Sequence, residues 1–402
     1  MNLFSKISFV LALFLLVTGS SFGQKSRKAL EQKKSSLKKE IDYKNKLLKE
    51  TKKSKKLSLN QLTLYRKKIA NREALIGTLK QEVNFIDQQI ENTHLDIRDK
   101  ENELALLKEE YAKMIYHAFK TKSSYDKLMF VFASENFNQA YKRLKYLQQY
   151  SDFRKRQAEM IAETQNELNA KIEELEQKKV EKENVIQSKK EENQNLDKDR
   201  AEKQKVFNEL NSKEKELKNE IKKKQKESQK LQKAIQRIIT EEIKKQAKNN
   251  KGKFVLTPEA QALSANFESN KGKLPWPTAK GIVTEYYGKH QHPELRGIYI
   301  NNNGIDISTE KDATARSVFS GVVSGVIVLP GMGKAIMIRH GEYISVYSNL
   351  SDVFVQKGEA VDLKQSIGKA RTDASKGVTE VHFELWKGQT TLNPSGWLYK
   401  FK

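Results

Sequence analysis

The sequence predicts a long α-helical coiled-coil hairpin followed by a smaller, mainly antiparallel β domain. Three observations carry this expectation. Two stretches near 100 residues each hold apolar side chains at seven-residue spacing with almost no helix breakers. The join between them is rich in aromatic residues, unlike either stretch. From Leu274 onward the texture changes to short alternating runs punctuated by glycine. Composition agrees: of 402 residues, 31% are charged, 8% are aromatic and only six are proline, which suits an exposed helical assembly better than one large core.

The chain begins as a secretory leader would. Lys6 supplies a positive start, Ile7 to Val17 is an almost wholly apolar run, and Ser21-Phe22-Gly23 ends in small residues before Gln24. Residues 1–23 are therefore expected to be a cleaved signal peptide, and the mature protein to be periplasmic. The apolar run falls short of the roughly 20 residues a membrane span needs. With no cysteine anywhere, disulfides, thiolate metal sites and a lipid-modified cysteine are excluded. The formal charge is +24, of which residues 271–402 contribute only about +5, with 17 basic and 12 acidic residues. The remaining lysines alternate with glutamates along helices, as on a solvated coiled-coil surface, and no nucleic-acid partner is expected.

Residues 24–250 form the expected hairpin. In the first arm, about Lys25 to Lys120, the positions Leu62, Ile69, Ile76, Val83, Ile90, Ile97, Leu104 and Tyr111 each follow the last by seven. Such a repeat lines one seam of an underwound helix. A companion row, Tyr65, Leu79, Ile86, Leu107 and Met114, is interrupted at Arg72, Thr93 and Lys100. The second arm, about Asn138 to Ala247, carries Ile161, Leu168, Leu175, Leu196, Leu210, Leu217, Leu231 and Ile238 in one register, broken by Lys182, Lys189, Lys203 and Lys224. Each arm would span about 140–165 Å at 1.5 Å per residue. Matching lengths favour an antiparallel hairpin; a parallel homodimer of both arms is the competing geometry.

The tip lies near residues 121–147. Thr121-Lys122-Ser123-Ser124 is turn-like, and Leu128, Met129, Phe130, Phe132, Phe137 and Tyr141 follow in quick succession. They suit either a small local core closing the hairpin or a docking knob for a partner. Residues 251–273 read as a linker: Asn249-Asn250-Lys251-Gly252-Lys253 is a break, and Thr257-Pro258 starts a short helix to Phe267. Residues 274–402 then form the β domain, with strands expected at 282–287, 297–300, 315–328, 335–339, 343–347 and 378–385.

Within that domain, several motifs occur in order. They include Gly304-Ile305-Asp306-Ile307, Ser320-Gly321-Val322-Val323, Arg339-His340-Gly341, Val346-Tyr347-Ser348-Asn349-Leu350, His382-Phe383-Glu384-Leu385 and Asn393-Pro394. On these residues the domain resembles the LytM/lysostaphin-type zinc peptidases that cut peptidoglycan cross-bridges. The resemblance implies a zinc site made by a histidine, an aspartate four residues later and the second histidine of an H-x-H pair, with two further catalytic histidines. Carried over position by position, the ligands fall on Asn302, Asp306 and His382, and the other two histidines on Asn349 and Glu380. Three of the five are replaced, so a degenerate LytM-like domain with no catalytic residues, no metal and no cofactor is expected. The alternative is a peptidoglycan metalloendopeptidase with an altered metal site, in which Glu380 serves as a replacement ligand. His290, His292 and His340 show no comparable set of ligand partners.

A signal peptide, a coiled-coil hairpin and a degenerate LytM domain together resemble the EnvC-type murein hydrolase activators. That resemblance implies a non-catalytic activator in cell division and daughter-cell separation. Its implied partners are a zinc-dependent N-acetylmuramoyl-L-alanine amidase and an FtsE–FtsX-type membrane complex, with peptidoglycan nearby. It also implies a helix that occupies the amidase-binding groove at rest, for which residues 257–267 are the candidate segment. The groove is expected to be lined by Asn302, Asp306, Tyr347, Asn349, Glu380 and His382, Tyr347 because period-two alternation sets it on the same strand face as Asn349.

Overall fold

The computed structural model describes residues 3–52, 58–120, 124–249, 257–291, 299–329 and 333–399. Among the described residues six helices come first: α1 Leu3–Lys52, α2 Leu59–Lys120, α3 Ser124–Phe132, α4 Phe137–Ser212, α5 Glu214–Asn249 and α6 Pro258–Ser269. Twelve strands follow among the described residues: β1 Ile282–Glu285, β2 Gly288–Gln291, β3 Tyr299–Asn302, β4 Ile305–Thr309, β5 Thr314–Arg316, β6 Gly321–Leu329, β7 Gly333–His340, β8 Tyr343–Val353, β9 Ala360–Val361, β10 Ser366–Asp373, β11 Val378–Lys387 and β12 Thr390–Leu392. A long helical region thus precedes an antiparallel β domain, as the heptads and the glycine-punctuated runs require. Among the described residues no helix is long and apolar enough to cross a membrane. The expected leader falls in the first turns of α1, and its side chains lie outside the described residues. So do Thr121 to Ser123, the break at 250–253, and His292. The chain divides into two compact units, residues 1–35 with 74–194, and residues 36–73 with 195–402.

In the first unit α2 and α4 run antiparallel. Lys182 meets Asp87 at 2.6 Å, Lys171 meets Asp96 at 3.1 Å and Lys100 meets Glu167 at 2.7 Å, one partner rising in number as the other falls. The heptad rows form the seam: Ile97 and Leu104 of α2 pack on Leu168 and Leu175 of α4, with Ile90 and Ile161 beside them. Lys182, a break in the apolar row, is a charged partner for the opposite helix. Thr93, a break in the companion row, also meets the opposite helix, for Lys178 Nζ donates to Thr93 Oγ1 at 2.7 Å. At the α3–α4 end, Leu128, Met129, Phe130, Phe132, Phe137 and Tyr141 are all exposed, Phe137 at 87%, so no local core forms from them. Phe130, Tyr146, Leu147, Tyr150 and Phe153 border an open cavity of about 650 Å³.

The first arm is not one helix, contrary to the reading of residues 25–120 as a continuous run. It is α1 and α2 folded back on each other. Lys34 of α1 reaches Glu82 of α2 at 2.6 Å in the first unit, and Asn71 donates to Glu40 at 2.6 Å in the second. The physical cause is a capping box at the start of α2. Ser58 Oγ accepts from the Gln61 backbone N–H at 3.3 Å, and Gln61 Oε1 accepts from the Ser58 N–H at 3.1 Å. Each satisfies a backbone donor that a helix start leaves open.

In the second unit α1, α2, α4 and α5 share a core of Leu47, Leu48, Leu62, Leu64, Tyr65, Val206, Leu210 and Leu217. Beside it a charged triad is buried: Asp199 of α4 takes Lys68 Nζ at 2.5 Å and Arg72 Nε at 2.6 Å, all three side chains 9% exposed. Arg72, which breaks the companion row, therefore has its counter-ion across the seam.

The β domain, in the same unit, has its sheet in the order β1-β4-β11-β10-β8-β7-β6-β9, with β11 also paired to β8 and β2–β3 a separate hairpin. Its strands alternate between two apolar faces. One set, including Ile305, Ile307, Ile336, Ile338, Tyr343, Tyr347, Phe383 and Leu385, packs inward with Leu274 and Trp397. α6 belongs to this core. Thr257 caps it, accepting from the Ala260 N–H, and its Phe267 is fully buried, stacked on His340 and Tyr343 at centroid distances of 5.0 and 4.9 Å. The opposite face exposes Ile327, Ala335, Met337, Ile344, Val346 and Trp386 to α5, whose Leu231, Ile235 and Ile239 cover them. Leu231 thus leaves the expected hairpin seam and buries against the β domain. Each such side chain contributes roughly 1.5–3 kcal/mol on full burial.

Candidate functional site

The β4–β11 register builds the site. His382 stands directly opposite Asp306 and Glu380 opposite Ser308, while on the other side of β11 His382 faces Ser348 of β8. Period two along β11 then carries Glu380, His382, Glu384 and Trp386 on the face that α5 covers. Gly304 makes the close entry to β4 possible, because a Cβ there would collide with the Phe383 carbonyl.

His382 is clamped between two carboxylates. Its Nδ1 lies 2.6 Å from Asp306 Oδ1 and its Nε2 2.9 Å from Glu384 Oε1. Both partners are acceptors, so both ring nitrogens donate and the ring is an imidazolium. Burial disfavours that charge, but the hydrogen bonds and charges of Asp306 and Glu384 outweigh it and push the His382 pKa up to about 10. Burial likewise pushes the Asp306 carboxyl up, and the His382 bond and charge, with Lys224, overcome this and hold it below the usual carboxylate value. Glu384 is fully buried, and its Oε2 accepts the Trp386 indole N–H at 2.8 Å.

The other expected groove residues divide. Asn302 is 7% exposed; its Oδ1 accepts the Gly304 N–H at 3.0 Å, while its Nδ2 is buried and finds no acceptor among the described residues. Asn349 Nδ2 donates to the Glu380 carbonyl at 2.8 Å. Tyr347 is not in the groove. Its ring is fully buried in the inner core, and its hydroxyl accepts the Val318 N–H at 2.8 Å. Alternation fails there because Asn349 adopts φ 61°, a left-handed turn of the strand that breaks the period.

Glu380 is held by the helical segments of its own unit. Its Oε1 accepts from Asn60 Nδ2 at the start of α2, at 2.5 Å, and from Thr284 Oγ1 at 3.0 Å, and Lys224 of α5 stands 3.9 Å from Oε2. The Glu380 charge raises the pKa of Lys224, whose side chain is 67% exposed, with smaller help from Asp306, Glu285 and Asp373. Further along α5, Gln225 donates to the Tyr299 carbonyl at 3.2 Å and Gln232 Oε1 accepts from Asn303 at 3.1 Å. α5 therefore lies along the groove from Glu380 to the β6–β8 floor.

Catalytic zinc requires deprotonated ligands. Here His382 donates from both nitrogens, Asn302 offers an amide oxygen already bonded to Gly304, and Glu380 is engaged by Asn60, Thr284 and Lys224. These residues do not fit a zinc ion. Among the described residues no group of three or more histidine, aspartate or glutamate side chains is arranged to hold a metal. His290 pairs instead with Glu285 at 2.6 Å. His340 is a core residue, its Nδ1 donating to the Ser320 carbonyl and its Nε2 accepting from Ser345 Oγ, both at 2.7 Å. Sequence reasoning did not find Glu384, Asn60, Lys224 or Gln232. Glu384 was within reach, since it shares the strand face of His382 two residues away. Lys224 carried a weaker signal, as a break in the heptad row.

Comparison with known proteins places this domain. A match to peptidase family M23 covers residues 300–394. An uncharacterized protein of Neisseria meningitidis serogroup B is 32% identical over 141 residues, 33% of this chain and 21% of that protein. Stage II sporulation protein Q of Bacillus subtilis is 25% identical over 180 residues, 41% of this chain and 64% of that protein. The chain thus spans less than two thirds of either relative. Among solved structures, Csd3 of Helicobacter pylori matches at 26% identity with a TM-score of 0.28, covering 32% of this chain and 35% of that one. Residues 300–394 are an M23 peptidase-family domain, set at the C-terminal end of a chain whose preceding part is built of long helices.

Proposed function

We propose that this protein is a non-catalytic activator of a zinc-dependent N-acetylmuramoyl-L-alanine amidase that splits peptidoglycan in the periplasm during cell division. The observation that carries the reading is the pairing of two features on one strand face. The position of the lost metal holds an imidazolium bridging Asp306 and Glu384, and the groove beside it holds α5. A groove whose described residues do not fit a water-activating ion but which buries an amphipathic helix is suited to binding protein. In this reading α5, rather than the segment at 257–267, is the element that occupies the amidase site at rest, since α6 has Phe267 in the domain's own core. The exposed tip residues Leu128, Met129, Phe130, Phe132, Phe137 and Tyr141 dock an FtsE–FtsX-type membrane complex, whose action on the helices releases α5. Moving the groove from mostly covered to mostly open requires that action to favour the open state by about 5 kcal/mol for a 1:99 to 99:1 shift.

The test uses the full chain. Ile235→Asp places a charge against the aliphatic floor and frees α5. Peptidoglycan hydrolysis by the purified amidase is then measured with the wild-type chain and with this variant. The variant is expected to raise hydrolysis well above the wild-type level. Hydrolysis unchanged by a folded variant with an exposed α5 would sink the activator reading.

A further inference from the structure

The basic excess of this chain is unevenly spread. Residues 57–212 hold 28 basic and 27 acidic residues, whereas residues 25–56 hold 14 and 4, and α5 holds 12 and 6. On α1 cations find counter-ions on other elements: Lys46 meets Glu310 at 2.5 Å and Lys52 meets Glu202 at 2.7 Å. Along α4 they find them on their own helix, as Lys171 and Lys178 do with Glu174.

α5 differs. Lys215, Lys222, Lys226, Lys233, Arg237 and Lys244 follow one another at intervals of seven, four, seven, four and seven, and all six are exposed. At about 100° and 1.5 Å per residue they fall within an arc of about 60°, in one straight row about 44 Å long. Glu216, Glu220, Glu227 and Glu241 lie outside that arc. Leu231, Ile235 and Ile239, which seat on the sheet, lie on the opposite side of the helix, so the row points away from the β domain.

Like charges one turn apart, Lys222 with Lys226 and Lys233 with Arg237, repel and weaken a helix. An anion outside the chain removes that cost. Five of the six cations are lysine, a point charge that answers to a field of negative charge, rather than arginine, whose planar fork selects single carboxylates or phosphates. The exposed Lys218 and Lys230 widen the row by about 60° on either side. A flat surface therefore meets more of these charges than one strand of polymer would.

We propose that the outward face of α5 binds the surface of a bilayer that contains anionic phospholipid, with the helix still seated on the β domain. The apolar side chains stay on the sheet, so the attraction is one of charge alone. Bilayer and sheet then hold α5 from opposite sides, and the β domain is carried at the membrane surface. The inference is independent of what the groove binds.

The test is co-sedimentation of the chain as processed after Gly23, so that the apolar run at 7–17 contributes nothing. Vesicles of phosphatidylcholine alone are compared with vesicles in which about a third of the lipid is phosphatidylglycerol. Binding is expected on the mixed vesicles only, and is expected to be lost between about 0.1 and 1 M salt, as the screening length shortens from about 10 to about 3 Å. Lys222→Gln, Lys226→Gln, Lys233→Gln and Arg237→Gln together are expected to weaken it roughly a hundredfold. Lys142→Gln, Lys145→Gln, Lys190→Gln and Lys198→Gln remove the same charge from other exposed positions and are expected to change it less than about threefold. Equal loss in the two variants would show a response to net charge only and overturn the inference, as would equal binding to neutral vesicles. A footprint on the unaltered chain needs no variant to fold: acetylation by an amine reagent is expected to slow on mixed vesicles at Lys222, Lys226 and Lys233 and not at Lys142 or Lys190. Uniform slowing, or none, overturns the assignment. Capture by immobilised polyphosphate without capture by vesicles would give the row to a linear polyanion and overturn it likewise.

Discussion

His382 is held as an imidazolium because the Asp306 and Glu384 carboxylates on its two ring nitrogens raise its pKa against burial. Replacing it by leucine strands two carboxylates, one of them fully buried, and is expected to cost about 3–5 kcal/mol in urea unfolding. The pH dependence follows from the raised pKa. The folded state holds the proton more tightly than the unfolded one, so the contribution is complete below pH 6.5 and declines as the pH climbs towards about 10. A thermal-unfolding midpoint that is flat from pH 6.5 to 10, once other groups are accounted for, would contradict the bridge. His340 behaves in the opposite sense. Burial holds its pKa down at about 4, so its contribution is present above 6.5 and is lost as the pH falls towards 4. Its ring resonances in NMR are expected to show no protonation above pH 5.5. The spacing of Asn302, Asp306, Glu380 and His382 was legible in the sequence because motif intervals map onto strand register. Tyr347 was misread because alternation presumes a regular strand, and no rule of spacing announces the left-handed Asn349.

Among the elements, α2 depends on how it begins. Removing the Ser58 hydroxyl by Ser58→Ala is expected to cost about 1 kcal/mol through loss of the cap, measured by urea denaturation, against a few tenths for an exposed serine elsewhere on the helices. The Asp199 triad offers a sharper contrast. Asp199→Ala removes the carboxylate that the buried Lys68 and Arg72 both contact and is expected to cost about 3–5 kcal/mol, whereas replacing all three by leucine is expected to be neutral or stabilising. A neutral single substitution in the same assay would show that water reaches the triad. The seam of α2 with α4 was legible because a seven-residue period has one helical solution. The fold-back of α1 was not, since Ser58 to Gln61 is a four-residue signal inside a long periodic run. The sequence of residues 53–57 contains neither proline nor glycine to mark the end of a helix. The β strands show the same limit: β10, with the sequence Ser366-Ile367-Gly368-Lys369-Ala370-Arg371-Thr372-Asp373, is recruited by pairing with β8 and β11 rather than by its own alternation.

For the molecule as a whole, the order of a helical region and an antiparallel β domain was legible from the heptad spacing and the glycine-punctuated runs, while the meeting of α5 with the groove was not. Heptad reasoning assigns every apolar residue of a long helix to its coiled-coil partner. It cannot say that Leu231, Ile235 and Ile239 find a better surface on a sheet formed a hundred residues later. With His382 held between the Asp306 and Glu384 carboxylates, a chelator such as EDTA is expected to leave the thermal midpoint of the full chain unchanged. A fall of several degrees on chelation would show that an ion supports the domain. The helical nature of the groove's occupant has one last consequence. A helix advances about 1.5 Å and turns about 100° with each residue, so α5 cannot creep along the groove without also rolling. A slip of one residue swings its three aliphatic side chains off the floor together with the Lys224 contact. The cover behaves as a detent with seated and unseated positions, and pulling on it meets resistance up to a threshold rather than in proportion to the load.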